Sequence, residues 1–382
     1  MNSPKNLIII VVVVVGVITF GLFQTNKNPP AENEPIKIGS ISALTGIGVA
    51  VGVEESNGAQ LAIEEINALG GIAGRPLVLI KEDVSIDKLK VAPAVAQKLV
   101  SVDKVVAIVG PQWDEPAFAI LPVTEKAKVP MIGADNTNDL ESKTNFDYFF
   151  STWYDNRVGI EELLGYAQAK GYKKIAIMRP LGAGFWQFTA TYFTNEAAKY
   201  GVEIVKDVDL GNPLLTDFRT PLTKIKTKNP DALFMVVGDY NQCTVLKQMR
   251  EMGINIPLLS TEAAGNNIAL RNCPRDMENI YFSTPRETEK YEAFAQRYAK
   301  RFGHRPEFPS AATAYDAGRV IAVALKETSG QGGEKLQKAI LKVKISGTGL
   351  PKIVFDGQGF VETPENTFIM KTVRAGKYVP VD

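Results

Sequence analysis

The 382-residue chain has a single histidine, His304, and only two cysteines, Cys243 and Cys273. One imidazole excludes most zinc centres and nearly every histidine-based catalytic relay, because both need imidazole as ligand or base. The cysteines lack CxxC spacing, so they are either a disulfide formed in an oxidising compartment or two small core residues. An excess of charge is missing too. With 43 Lys plus Arg against 42 Asp plus Glu, the formal charge is +1, and no nucleic-acid partner is expected. The G-x-S-x-G, H-E-x-x-H and G-x-x-x-x-G-K-[ST] signatures are also absent, which removes the commonest hydrolase, zinc-protease and phosphate-loop readings. No cofactor or metal is expected.

What is present begins at the N-terminus. Lys5 precedes an uncharged apolar run, residues 7–23 (LIIIVVVVVGVITFGLF), and a polar segment follows, QTNKNPPAENEP. The run sits at the short end of a membrane-spanning helix, with neither a small-x-small cleavage site nor a lipobox cysteine after it. It reads as an uncleaved signal anchor (residues 1–24) in preference to a cleaved signal peptide, with residues 25–35 as a tether. The positive residue before the run places the rest of the chain outside the cytoplasm, in the periplasm or at the outer face of the membrane.

From residue 36 onward, strand and helix signals alternate. Short β-rich apolar runs stand at 36–42, 77–83, 105–110 and 129–134, each bounded by Gly, Pro or Asp. Between the first two, Ala59, Ala62, Ile63, Ile66 and Leu69 recur at helical spacing, with Asn57 as the expected N-cap and Gly70 as the stop. A second series of runs follows at 173–180, 202–210, 231–238, 256–261 and 279–285, with helices expected near 160–170, 187–200, 216–228 and 241–253. Two such series predict an α/β fold with two parallel sheets, each covered by helices on both faces. Pro93 and Pro122 interrupt otherwise helical stretches and blur two helix boundaries.

Ligands in such folds sit at the carboxyl ends of parallel strands. Four loops there carry polar or aromatic residues: GPQWDEP (110–116), GADNTND (133–139), VVGDYNQ (236–242) and LSTEAAGNN (259–267). Trp113, Asp114, Asn136, Thr137, Tyr240 and Glu262 are the candidate binding residues on them. Asp114 or Glu115 beside Pro116 equally suits a helix start, and Asn136 or Asp139 a cap. Two enzyme readings also arise. GIGVAVG (46–52), with Glu82 and Asp83 ending the second strand, loosely resembles a dinucleotide fingerprint, but its spacing departs from G-x-G-x-x-G. Asp114 and Glu262 across a cleft would supply the two carboxylates of an exported hydrolase.

The stretches IKIGSISALTG, GAQLAIEEINALGGIAGRPLVLIKED, VVAIVGP, LPVTEKAKVPMI, LLTDFRTPLTKIKTKNPDALFMVVGDY, TEAAGN and PKIVFDGQGF resemble the type I substrate-binding proteins of the branched-chain amino acid ABC transporter family. The resemblance runs from about residue 36 to the C-terminus. It implies a non-catalytic flytrap of two Rossmann-like lobes joined by three crossovers, approximately 36–152 with 286–355 and 153–285 with 356–382, closing over a small ligand and docking on permease subunits. A sensory receptor subunit of the same fold is the alternative. By the same resemblance Glu262 receives an ammonium group and Tyr240 covers the ligand, while Trp113, Asp114, Asn136 and Thr137 face it from the first lobe. Asp114 stands where the family offers a serine hydroxyl to the ligand carboxylate, Val51 where an aromatic lid is common, and GAGFW (182–186) replaces a Tyr-Gly. An amino acid, amide or amine with a cationic or donor-rich group facing Asp114 is therefore expected.

Overall fold

A computed structural model describes residues 34–137, 146–179, 184–211, 215–237 and 241–381. The expected anchor at 7–23, Asp139 and Tyr240 lie outside these residues. Among the described residues, no helix is long and apolar enough to cross a membrane.

The first half of the chain gives β1 (Ile36–Ser42), α1 (Val49–Ala68), β2 (Leu77–Asp83), α2 (Ala92–Lys98), β3 (Ala107–Val109), α3 (Asp114–Ala127), β4 (Met131–Gly133) and β5 (Phe149–Ser151). These strands form one parallel sheet in the order β2-β1-β3-β4-β5. Every residue of β3 and β4 is buried, as expected of strands covered on both faces.

The second series gives α4 (Asn156–Ala169), β6 (Lys174–Arg179), α5 (Gly184–Glu196), β7 (Glu203–Asp209), α6 (Arg219–Lys226), β8 (Ala232–Phe234), α7 (Gln242–Glu251), β9 (Leu258–Ser260), α8 (Asn267–Asn272) and β10 (Ile280–Pro285). Then follow α9 (Glu289–Phe302), α10 (Ser310–Glu327), α11 (Glu334–Leu341), the hairpin β11 (Lys344–Ser346) and β12 (Lys352–Val354), and finally β13 (Phe368–Arg374) and β14 (Lys377–Pro380). The second sheet runs β14-β13-β10-β9-β8-β6-β7, with β13 alone reversed, antiparallel to both β10 and β14.

Four apolar clusters cover the four sheet faces. On the first sheet, Ile36, Ile38, Val109 and Ile132 pack with α1, α10 and α11, and Ile41, Ile108 and Met131 with α2 and α3. On the second, Ile175, Ile177 and Phe234 pack with α4 and α5, and Ala176, Met178 and Leu233 with α6 and α7. The segment after β10 returns to the first sheet: Phe294 and Tyr298 of α9 join Leu61 and Ala62 of α1 in a cluster. Phe360 then bridges Ser151 at the edge of that sheet before β13 rejoins the second. The chain thus passes three times between the sheets.

Two local expectations change. Helix α1 begins eight residues before the expected cap Asn57: its N-cap is Gly48, left-handed at φ 89°. The segment from Val49 lacks an amphipathic period because its small residues pack backbone to backbone; a Cβ on Gly58 would lie 2.0 Å from the carbonyl oxygen of Ala311. Gly70, at φ 95°, does follow the helix end. The prolines are accommodated: Pro93 occupies the first turn of α2, where no N–H partner is needed, while α3 continues through Pro122. Cys243 and Cys273 are joined as a disulfide.

Candidate functional site

The site is built from the loops that leave β3 and β4. Gly110, at φ 95°, turns the chain so tightly that a Cβ there would lie 2.1 Å from the Ile41 carbonyl oxygen. Trp113 follows as the N-cap of α3 at φ 66°, a conformation rare for a side chain of its size. Four hydrogen bonds between the two loops hold it there. The Trp113 N–H donates to the Asp135 carbonyl at 3.0 Å, and Asn136 Nδ2 to the Trp113 carbonyl at 2.6 Å. The Thr137 N–H donates to Asp114 Oδ1 at 2.9 Å, and its hydroxyl to Asp114 Oδ2 at 2.6 Å. Gly48 lies beneath the indole, and a Cβ there would come within 2.7 Å of the Trp113 ring. Of the glycines of GIGVAVG, Gly48 thus makes room for a tryptophan, while Gly46 lies against Asp87 and Ser85 and Gly52 against the Ala43 backbone.

The second sheet contributes Glu262, in the turn after β9, and Trp186 near the start of α5. The crossover after β5 contributes Trp153, whose indole N–H donates to Asn156 Oδ1 at 2.9 Å, while Asn156 Nδ2 donates to Glu262 Oε1 at 3.1 Å. One amide therefore orients both a ring and a carboxylate.

These parts enclose a cavity of about 90 Å³ lined by Val51, Trp113, Glu115, Asp135, Trp153, Phe185, Trp186, Val236, Val237, Glu262, Ala263 and Phe308 to Ser310. The sheets meet across it: the rings of Trp113 and Trp186 lie 6.2 Å apart at 58°, and Glu115 Oε1 accepts from the Gly184 N–H, at the start of α5, at 2.7 Å. All three tryptophans of the chain are on its wall.

The electrostatics are one-sided. Glu115, Asp135 and Glu262 are on the wall, and among the described residues the lining contains no Lys, Arg or His. Burial pushes the Glu262 carboxyl up to about 8, with Asp135 adding to the effect. Burial likewise pushes Asp135 up to about 7, with Asp114 adding, and Asp114 up to about 7 against the hydrogen bonds from Thr137. Behind them Glu55 is fully buried, its carboxylate oxygens have no partner among the described residues, and burial and Asp135 hold its carboxyl well above the usual range. The Ser310 hydroxyl is buried on the cavity wall, also without a partner among those residues. An adjoining cavity of about 340 Å³ shares Glu262 and carries three cations: Lys371 and Arg305, paired with Glu287 and Glu292, both at 2.8 Å, and Arg286. No group of acids, cysteines or histidines suited to a metal occurs among the described residues.

Of the sequence candidates, Trp113 and Glu262 line the cavity and Tyr240 lies outside the described residues. Asp114, Asn136 and Thr137 are buried behind the wall, bonded to one another's loops. The expectation that Asp114 faces the ligand is corrected accordingly: its carboxylate is turned to Thr137, which also removes the Asp114 and Glu262 pair as a hydrolase arrangement. Glu115 lies in the first turn of α3, as its place beside Pro116 suggested, yet its side chain reaches the cavity. The wall residues Asp135, Trp153 and Ser310 were not singled out. Asp135 shares a loop with two residues that were, whereas nothing in the local sequence marks Phe308 to Ser310.

Residues 35–377 match a family model described as periplasmic binding protein. The Leu/Ile/Val-binding protein homolog 7 of Brucella suis is 23% identical over 329 residues, covering 81% of this chain and 82% of that protein. The branched-chain amino acid transporter substrate-binding protein LivJ from Streptococcus pneumoniae, solved with isoleucine, superposes with a TM-score of 0.78 at 28% identity, covering 91% of this chain and 99% of that one. A solute-binding protein of an ABC transporter from R. palustris, solved with benzoate, has the same fold, with a TM-score of 0.80 at 17% identity over 91% of this chain and 95% of that one.

Proposed function

Since this chain belongs to the periplasmic binding protein family, we propose that it is an extracytoplasmic solute-binding protein that captures a small polar ligand and delivers it to the permease subunits of an ABC transporter. The observation that carries the reading is a cavity walled from both sheets, with Trp113 and Asp135 on one side and Trp186 and Glu262 on the other. The ligand class is an amino acid, amide or amine, held by Glu262 and covered by Trp113. Asp114, Asn136 and Thr137 support this wall, and Tyr240 contributes from its loop. The two lobes, about 36–152 with 286–355 and 153–285 with 356–382, close by a hinge on the three crossovers. Residues 7–23 anchor the chain in the membrane. The relatives are binding proteins, and no catalytic step is assigned.

Calorimetry of the full-length protein against amino acids, amides and amines tests the reading. We expect saturable one-to-one binding by a member of the set, abolished in Glu262→Ala. Absence of saturable binding across the set would overturn it.

A further inference from the structure

Resting on that reading, we propose that the ligand is a compact protonated amine without a carboxylate, its charge shared between Asp135 of the first lobe and Glu262 of the second.

Among the described residues, the backbone N–H seats nearest the cavity that would suit an anion are taken by the protein's own carboxylates, which leaves the Ser310 hydroxyl as the open donor. Backbone N–H groups at helix starts and loop turns are where a buried ligand carboxylate finds donors. Here the Gly184 N–H donates to Glu115, and both the N–H and the hydroxyl of Thr137 donate to Asp114. A zwitterionic amino acid would bring its carboxylate into a cavity whose described lining has three acids and no cation.

The seats for a cation are open. Asp135 and Glu262 reach the cavity from opposite sheets, and Glu262 accepts one side-chain hydrogen bond, from Asn156. The buried Ser310 hydroxyl has no partner among the described residues and lines the same space, so it is free to accept from an ammonium N–H. Trp113, Trp153, Phe185, Trp186 and Phe308 supply the aromatic faces that attract a cation out of water.

Binding a cation is linked to proton release. Without it the carboxyls are held protonated by burial and by one another: Asp135 faces Asp114 and Glu115 from α3, Glu55 from α1, and Glu262 and Tyr154 from the second lobe and the crossover. A bound ammonium reverses that balance, so affinity rises with pH across the neutral range.

The probes are isobutylamine and valine, which differ only in the carboxylate, with isobutyramide as the uncharged comparison. Calorimetry of the full-length protein at pH 8 should show isobutylamine binding at least about tenfold more tightly than valine, with proton release measured by varying the buffer's ionisation enthalpy. Asp135→Asn should lose about tenfold of the amine affinity without weakening valine, and Ser310→Ala should weaken the amine by a smaller factor. Valine or isobutyramide binding as tightly as the amine, or amine binding unchanged in Asp135→Asn, overturns the amine assignment while leaving solute capture intact. If no amine, amide or amino acid binds, the solute-binding reading itself fails.

Discussion

Both carboxylate oxygens of Asp114 accept hydrogen bonds from Thr137, one from its N–H at 2.9 Å and one from its hydroxyl at 2.6 Å. This pair locks the loop after β3 to the loop after β4, and so fixes Trp113 and Asp135 on one wall of the cleft. Thr137→Val keeps the shape and removes one donor from a buried carboxylate. The expected cost is about 1–3 kcal/mol of stability, read as a lower urea midpoint with an unchanged slope. An unchanged midpoint would deny the pair its supporting role.

Stability should fall as the pH rises. Asp114 and Asp135 are pushed up to about 7 and Glu262 up to about 8. In the unfolded chain these carboxyls ionise near pH 4. Between about pH 4 and pH 8 the folded chain therefore holds more protons than the unfolded one, and the linkage relation makes folding less favourable with each step upward. The carboxyls held low, Asp83 and Glu292 at about 2, act below this window and do not oppose the trend within it. Urea midpoints of the ligand-free protein should be higher at pH 5 than at pH 8, a difference that Asp135→Asn reduces.

The fold was legible because its signal is distributed. Two series of short apolar runs, each with helices between, gave both sheets, with boundaries shifted by a few residues where strands such as β3 and β8 are only three residues long. Helix α1 was misplaced at its start because Gly52 and Gly58 pack through their backbones, which leaves no hydrophobic stripe to read. The site was legible as a set of loops and not as a set of side chains. Periodicity has no power over which of two adjacent acids, Asp114 or Glu115, turns to the cavity; that is decided by Thr137 capturing the first. Ser310 was invisible because it arrives from a segment nearly two hundred residues after Trp113 in the chain, carried by the return crossover.

The disulfide closes a loop with a sequence separation of 30 between Cys243 of α7 and Cys273 after α8. A loop of that size is worth about 3.7 kcal/mol through the unfolded chain. Reduction should lower the Tm by several degrees, and alkylation without prior reduction should label neither cysteine. Labelling of the untreated protein would contradict the bond.

The reading of residues 7–23 as an anchor predicts that the protein extracted from membranes retains its N-terminus. Intact mass decides this: a species beginning at Met1 or Asn2 is expected, and one beginning between residues 24 and 32 would establish cleavage instead.

The central claim is that the ligand sits between the two sheets, among Trp113, Trp153 and Trp186. Because the chain has no other tryptophan, its whole indole emission reports on the cleft. Titration with the ligand that calorimetry identifies should change that emission saturably, with the calorimetric stoichiometry and affinity, and should lower quenching by acrylamide as the rings are enclosed. Calorimetric saturation with emission and quenching both unchanged would put the ligand elsewhere and contradict the account.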